Sequence, residues 1–240
     1  MVRTGILSGV PPESLYVAAG AADGDPGLGE LVGLAHDAGA RIFELAPGVV
    51  ERVATTVTPQ PVLAVFPMPG AVRVPEGAGL VVVMADVRDP GNAGTVLRSA
   101  DASGASAVVC CGGTVDPYNP KTVRASAGSL FHVPVVAGGP PAAALDALGV
   151  AGLRRLGAVV TGGQDYSAVD WSVPTALVLG NEAWGLPEGL PLDGSVGIPM
   201  EGRAESLNVG MACAVLCFEA LRQRRSAQRR RAQGRSTMQR

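Results

Sequence analysis

Two rhythms of apolar and polar positions divide the chain. Up to about residue 70, short apolar runs alternate with amphipathic stretches. "SLYVAA", "RIFELA" and "VLAVFP" read as strands, and "GLGELVGLAHDAGA" and "PGVVERVAT" as helices. The prolines and glycines of "PMPGAVRVPEGAG" then mark a linker over residues 71–79. From Leu80 the rhythm changes. "LVVVMADV" has the composition of a strand buried on both faces of a parallel sheet. A helix follows at "NAGTVLRSADASGA", a strand at "SAVVCC", a short helix at "PKTVRASAG" and a strand at "VPVV". Next come a helix over "PPAAALDALGVAGLRRLG", strands at "AVVTGG", "TALVLG" and "VGIPM", and a closing helix at "SLNVGMACAVLCFEALRQRR". This alternation predicts an α/β protein, with an open, mostly parallel sheet covered by helices on both faces over residues 80–224. A small α/β domain over residues 1–70 precedes it. Ligands of such sheets bind beyond the carboxyl ends of the strands.

Apolar residues make up 47 % of the 240, enough for a packed core and too many for a disordered chain. No apolar run approaches the ~18 to 20 residues of a membrane span. "MVRTGILSGVPPES" meets prolines too early for a signal peptide, so a cytoplasmic protein without a membrane partner is expected. Neighbouring Cys110 and Cys111 should point to opposite faces of a strand, and Cys213 and Cys217 lie one turn apart on a helix. None has zinc-ligand spacing, so core packing is expected rather than a disulfide or a metal site. Charge is strongly uneven. Residues 222–240 hold eight arginines and no acid, a net of +8, while the other 221 residues carry 11 basic and 21 acidic groups, a net of −10. The low apolar content of residues 225–240 predicts a disordered basic tail beyond the last helix. Such a tail is either an arm for nucleic acid or a solubilising segment.

The common nucleotide signatures are missing. "DPGNAG" stands where a G-x-G-x-x-G would follow the first strand of the large domain, and no phosphate-loop motif occurs. Polar clusters gather at element boundaries instead. In "DVRDPGNAGTVLRSA", Asn92 stands where a helix should begin, as an N-cap. Arg98 follows within the same helix, either facing solvent or reaching across the strand ends. "TALVLGNEAWGLP" sets Gly180, Asn181 and Glu182 at the mouth of a buried strand, with Trp184 just beyond. "GRAESLNVGMA" opens the last helix with Ser206 as cap and Asn208 in the first turn, beside free backbone N–H groups.

Taken together and in order, "DPGNAGTVLRSADASGA", "LVLGNEAWGLP" and "IPMEGRAESLNVGMACAVLCFEA" resemble the three motifs of the SpoU (TrmH-like) family of RNA 2′-O-ribose methyltransferases, in the α/β-knot superfamily. "KTVRASAGSLFHVPV" between them matches as well, and the resemblance covers roughly Leu80 to Leu221. It implies a deep C-terminal trefoil knot, an exception to the general avoidance of knots, and a homodimer with the active site at its interface. It implies S-adenosylmethionine as cofactor. The cofactor would be held by loops containing Thr161, Gly162 and Gly163, then Leu179, Gly180 and Asn181, then Ile198 and Met200, then Ser206 and Leu207. Arg98 would lead catalysis, with Asn92, Glu182, Ser206 and Asn208 completing the site, and Arg98, Lys121 and Arg124 would contact RNA. "GVPPESLYVAAG" and "ARIFELAPGVVERVATTVTPQPVLAVF" resemble the ribosomal-protein-like RNA-binding domain of many members. The chain begins near the point where that domain's first strand would end, which points to an incomplete domain.

The expected reaction is methylation of a ribose 2′-hydroxyl in RNA, where alignment and proton removal are the difficulties. A guanidinium, with a pKa above ~12, is a poor base. Arg98 is therefore expected to grip the neighbouring phosphate and lower the pKa of the hydroxyl. Gly180 should let the cofactor approach the backbone. Glu182 is read either as a polar wall of the substrate site or as an acceptor for backbone N–H groups, and Trp184 as a base-stacking or a packing residue. The first domain favours 23S ribosomal RNA over transfer RNA. A transfer-RNA enzyme and a catalytically idle RNA-binding scaffold are the alternatives.

Overall fold

Capping chemistry sets most element boundaries in this chain. The computed structural model describes residues 1–54, 58–70 and 72–237, with side chains as far as Arg230. The expected helix end at Thr55, the first linker residue Ala71 and tail residues 238–240 lie outside the described residues. The chain divides into two units, Met1–Gly70 and Ala71–Arg240.

The first unit contains α1 (Val2–Leu7), β1 (Ser14–Ala18), α2 (Ala21–Gly24), α3 (Pro26–Asp37), β2 (Arg41–Leu45), α4 (Val49–Val53) and β3 (Val62–Val65). Its sheet runs β2-β1-β3, with β2 parallel and β3 antiparallel to β1. Asp25 starts α3 by accepting the Gly27 and Leu28 N–H groups, and Pro26 takes the first helical position. Leu15, Val17, Leu28 and Ala35 form the core. The two short helices α1 and α2 were not expected. A helix of six residues has no stability of its own, and α1 forms because Val2 and Ile6, one turn apart, pack on that core.

The second unit contains β4 (Leu80–Met84), α5 (Pro90–Ala102), β5 (Ala107–Cys111), α6 (Pro120–Ala125), β6 (Val135–Gly139), α7 (Pro141–Val150) and β7 (Arg154–Ala158). It continues through β8 (Gln164–Asp165), β9 (Thr175–Leu179), β10 (Gly194–Gly197) and α8 (Val209–Thr237). The seven strands are ordered β6-β5-β4-β9-β7-β10-β8, and each paired neighbour is parallel. The expected parallel α/β sheet is therefore present. Side chains of β4 alternate between two cores. Leu80, Val82 and Met84 pack with α5 and α8, while Val81 and Val83 pack with Leu145 and Leu148 of α7. Cys110 joins the first layer and Cys111 the second. Cys213 and Cys217 are buried core thiols, and all four cysteines are free. Strand β9 sits between β4 and β7, so the carboxyl ends of β4, β9, β7 and β10 lie side by side. Strand order reverses there, which is where an open α/β sheet places a ligand.

Several boundaries differ from expectation. Helix α7 stops at Val150 instead of running through "LRRLG". Gly152 adopts φ +83°, Leu153 N–H reaches Leu148 O at 3.0 Å and Gly152 N–H reaches Gly149 O at 2.9 Å. These two bonds form a Schellman stop. Arg154–Ala158 is thereby released as β7, and "VVTGG" leaves the sheet as a loop. At the far end, α8 does not give way to a disordered tail at residue 225 but continues to Thr237. Arginine, glutamine and alanine are all good helix formers, and no proline interrupts them. Strand β10 begins at Gly194, two residues ahead of "VGIPM", and the two-residue β8 was not foreseen.

Arg155 ties β7 to the segment before β10. Its Nε and Nη2 donate to the two carboxylate oxygens of Asp193 at 2.9 and 2.7 Å, and its backbone N–H adds a bond at 2.8 Å. The Arg155 side chain, then its N–H, holds the Asp193 carboxyl down at about 2. The folded value lies below the unfolded one, so the stabilisation is complete above a pH of about 4 and fades as pH falls towards 2. The Asp193→Asn variant should be less stable than the parent at pH 7, and the gap should close near pH 2 in urea titrations. A gap independent of pH would show that the pair does not act through its charge.

Candidate active site

The loop after β4 turns sharply at Asp86, a non-glycine residue with φ +73°. The turn is held from several sides. Asp86 N–H donates to Thr114 Oγ1 at 3.1 Å, and Asp86 Oδ1 accepts from Arg88 Nε at 2.8 Å. Asn181, at the end of β9, donates from Nδ2 to both the Asp86 carbonyl and Oδ2 at 3.1 Å. Its own Oδ1 accepts the N–H groups of Ala183 and Trp184 at 2.9 and 3.2 Å. Asn181 and Gly185 exchange backbone bonds of 2.7 and 2.9 Å and close a tight loop. Gly180 is required by that closure. A Cβ there would collide with the Gly185 carbonyl and lie 2.5 Å from Leu186 N. The expected reason for this glycine was access for a cofactor, whereas the space is taken by the chain itself.

Asp89, not Asn92, caps α5. Pro90 occupies the first helical position, which leaves the cap to the residue before it, and Asp89 Oδ1 accepts Asn92 N–H at 2.8 Å. The Asn92 side chain is thus free to bridge. Its Nδ2 donates to Glu182 Oε1 at 3.0 Å, and its Oδ1 accepts from Asn208 Nδ2 at 2.7 Å. Asn208 in turn accepts Gly210 N–H at 2.8 Å at the start of α8. The cap expected of Ser206 therefore falls on Asn208, because α8 begins at Val209, and Ser206 lies exposed in the preceding loop. Glu182 also accepts the N–H groups of Arg88 and Asp89 at 3.3 and 3.2 Å, the second of its two expected roles. Partial burial is the largest single influence on its carboxyl and pushes it up. The bonds from Asn92 and from the backbone outweigh that push and hold the group below its ordinary value.

A cavity of about 720 Å³ opens beside this relay, at the ends of β7, β9 and β10 and the start of α8. Of the residues expected around a cofactor, Thr161, Leu179, Gly180, Asn181, Ile198, Met200, Ser206 and Leu207 line it. Gly162 and Gly163 do not. At Gly163 a Cβ would lie 2.7 Å from Gly197 N and Val196 C, so this glycine serves close packing on β10. The walls are apolar at Leu179, Val196, Ile198, Met200 and Leu216. Glu182 and Glu205 supply negative charge, and no lysine, arginine or histidine lines the cavity among the described residues. Such a lining suits a ligand that carries positive charge and lacks phosphate.

Arg98 is exposed on α5 and makes no hydrogen bond or ion pair with the described residues, so it stands outside the relay. Lys121 and Arg124 are exposed on α6, whose start is capped by Asn119 accepting Lys121 N–H at 2.9 Å. Helix α6 lies on α5 at Gly94, where any Cβ would collide with Ala125. Trp184 is 84 % exposed, which removes packing within this chain as its role. Sequence reasoning missed Asp86, Asp89 and Glu205. The pair Asp-Pro at residues 89–90 is a legible cap signal; Asp86 and Glu205 carry none, since only the fold brings them to the site. Among the described residues there is no cluster of three metal-ligating side chains and no helix long and apolar enough to cross a membrane.

This sheet is shared with solved methyltransferase structures. The chain belongs to the SpoU rRNA Methylase family, whose model matches residues 79–218. It is 38 % identical over 184 residues to the 23S rRNA (guanosine(2553)-2'-O)-methyltransferase RlmP of Bacillus subtilis, covering 76 % of this chain and 73 % of that one. It is 39 % identical over 176 residues to a 23S rRNA (uridine(2479)-2'-O)-methyltransferase of Streptomyces viridochromogenes, covering 69 % and 61 %. The crystal structure of the SpoU methyltransferase AviRb from S. viridochromogenes in complex with AdoMet superposes with a TM-score of 0.78 at 32 % identity, covering 94 % of this chain and 88 % of the other. An AdoMet-bound rRNA methyltransferase from Sinorhizobium meliloti gives 0.78 at 31 %, covering 92 % and 84 %.

Proposed function

We propose that this chain methylates a ribose 2′-hydroxyl of 23S ribosomal RNA with S-adenosylmethionine. The carrying observation is the cavity lining, which offers two carboxylates, apolar walls, backbone from three strand-end loops and, among the described residues, no cation to meet a phosphate. That donor set fits a sulfonium-bearing nucleoside and disfavours a nucleotide coenzyme. Its volume, about 720 Å³, falls within the usual range for such ligands. Bound there, S-adenosylmethionine supplies an electrophilic methyl group. The named activities of the relatives from B. subtilis and S. viridochromogenes support ribosomal RNA as substrate.

The chain's own contribution is to align the ribose and make its hydroxyl ready to lose a proton. Arg98 is assigned the phosphate beside the reacting sugar, where a fixed positive charge lowers the hydroxyl pKa. Asn92, Glu182 and Asn208 form the rigid polar floor, joined by bonds of 3.0 and 2.7 Å. Ser206 lies at the cavity edge as a further polar contact. Lys121 and Arg124 are assigned to RNA phosphates, and the first unit to RNA binding. The C-terminal trefoil knot belongs to the same reading, supported by β9 lying between β4 and β7. So does a homodimer, supported by the exposed Trp184, Met211 and Phe218, and so does a cytoplasmic location.

The test is transfer from tritiated S-adenosylmethionine to separate transfer, small-subunit and large-subunit RNA. Label is expected in large-subunit RNA alone, at one position that resists alkaline cleavage. Label confined to transfer RNA would move the substrate, and cofactor binding without any label would favour an idle scaffold.

A further inference from the structure

The continuation of α8 gives the arginine-rich segment a shape that charge alone could not. Two residues fasten the helix to its own unit. Gln223 donates from Nε2 to Val169 O at 2.9 Å and accepts Trp171 N–H at 3.0 Å. Arg224 is half-buried and donates to Ser103 O at 3.2 Å, with its guanidinium against Gly79. Arg222 is neutralised by Glu219, through bonds of 2.8 and 2.6 Å. The next arginines have no such employment. Arg225, Arg229 and Arg230 are exposed and make no ion pair among the described residues. Beyond the fastening point at Arg224 the backbone stays helical to Thr237. At 1.5 Å per residue this is a reach of about 20 Å.

From these observations we infer that the C-terminal half of α8 is a second RNA-binding element, an arm that follows the phosphate backbone at a distance from the reacting ribose. The inference rests on the reading of RNA as substrate. The segment 222–240 carries eight of the chain's 19 basic residues in a protein of net charge −2, so its field is local and opposite to that of the rest. A polyanion is the complementary partner. A membrane surface fits poorly, because beyond Leu221 the described side chains offer only alanine as apolar surface, and an interfacial helix needs an apolar face to bury. A second copy seated arm against arm fits poorly too, since it would bring the same arginines against these; seating on the acidic surface of a copy is the outcome that sedimentation tests. A helix places the charges in a fixed row and reduces the ordering cost on binding, which a disordered tail would have to meet in full.

The experiment uses the full chain and a fluorescent 20-nucleotide oligouridine, which has no structure to recognise. Anisotropy titrations across a range of potassium chloride compare the parent with R225Q/R229Q/R230Q, which keeps helix propensity, and with the corresponding triple lysine variant. If three phosphates are engaged, the glutamine variant should bind on the order of 100-fold more weakly at 0.1 M salt, and the slope of log K against log salt should shrink by about 2. The lysine variant should retain both values. Unchanged affinity and slope in the glutamine variant would overturn the arm and leave a solubilising segment. Loss of binding to phosphatidylserine vesicles, with oligouridine binding intact, would overturn it in favour of a membrane. A change of oligomeric state in sedimentation, with the salt slope intact, would overturn it in favour of a second copy. Methyl transfer to ribosomal RNA is measured alongside. A parent that transfers no methyl group yet shows the charge-dependent slope would sink the enzymatic reading and keep the arm; a normal parent activity with no slope change would do the reverse.

Discussion

Replacing Arg98 with alanine should lower the rate of methyl transfer by about 10²- to 10³-fold, the usual cost of removing a preorganised charge at a reacting group. S-adenosylmethionine binding should stay within about twofold of the parent, since Arg98 is absent from the cavity lining. Stability should hardly change, because the side chain is exposed and makes no hydrogen bond or ion pair with the described residues. This combination of lost turnover, intact cofactor binding and intact stability separates a group reserved for substrate from a structural arginine. Lysine at the same position should recover only part of the activity, as a point charge without the planar fork. Calorimetry for the cofactor and single-turnover rates at saturating RNA measure the two quantities apart. A variant with parental turnover would remove Arg98 from the mechanism.

Gly180→Ala should fail in the opposite way. Its added Cβ meets the Gly185 carbonyl and lies 2.5 Å from Leu186 N, so backbone must move rather than a side-chain tip. Overpacking of this kind costs about 1–3 kcal/mol or more. The loop that moves carries Asn181, which braces Asp86, and Glu182, which binds the backbone of Arg88 and Asp89 and the Asn92 side chain. The cavity wall and the polar floor are therefore disturbed together, and cofactor affinity should drop by about tenfold or more. Gly202→Ala is the control, since a Cβ there meets nothing within 4 Å. Calorimetry and urea titration of both variants check the contrast. Parental affinity in Gly180→Ala would mean that the loop relaxes without cost and that its tight closure has no part in the site.

The departures from the sequence reading have both local and distant causes. Asn92 was expected as a cap and is instead a bridge, because Pro90 moved the cap to Asp89 and freed the amide. Gly163 was expected at a ligand and is instead pressed against β10. Helix α7 was expected to run on, and a single left-handed glycine at position 152 turned its last residues into a strand. Pro90 and Gly152 are signals within the segments themselves, whereas Gly163 was decided by its packing on a strand more than thirty residues away.

Much of the architecture was decided by the chain's own pattern. The continuous apolar runs of β4 and β9 read as strands buried on both faces, and both lie side by side in the parallel sheet with every residue buried. Residue order alone also carried the three polar clusters and, through them, the family. Tertiary structure decided what those clusters do to one another. Asn92, Glu182 and Asn208 are separated by as many as 116 positions, yet they form one chain of hydrogen bonds. Hydrogen bonds act over about 3 Å and carry no trace in a sequence until the strands bearing them are set side by side. The placement of β9 between β4 and β7 does that here. The fate of the basic segment was settled likewise: its low apolar content pointed to a disordered tail, and the fastening of Gln223 and Arg224 starts it as a helix.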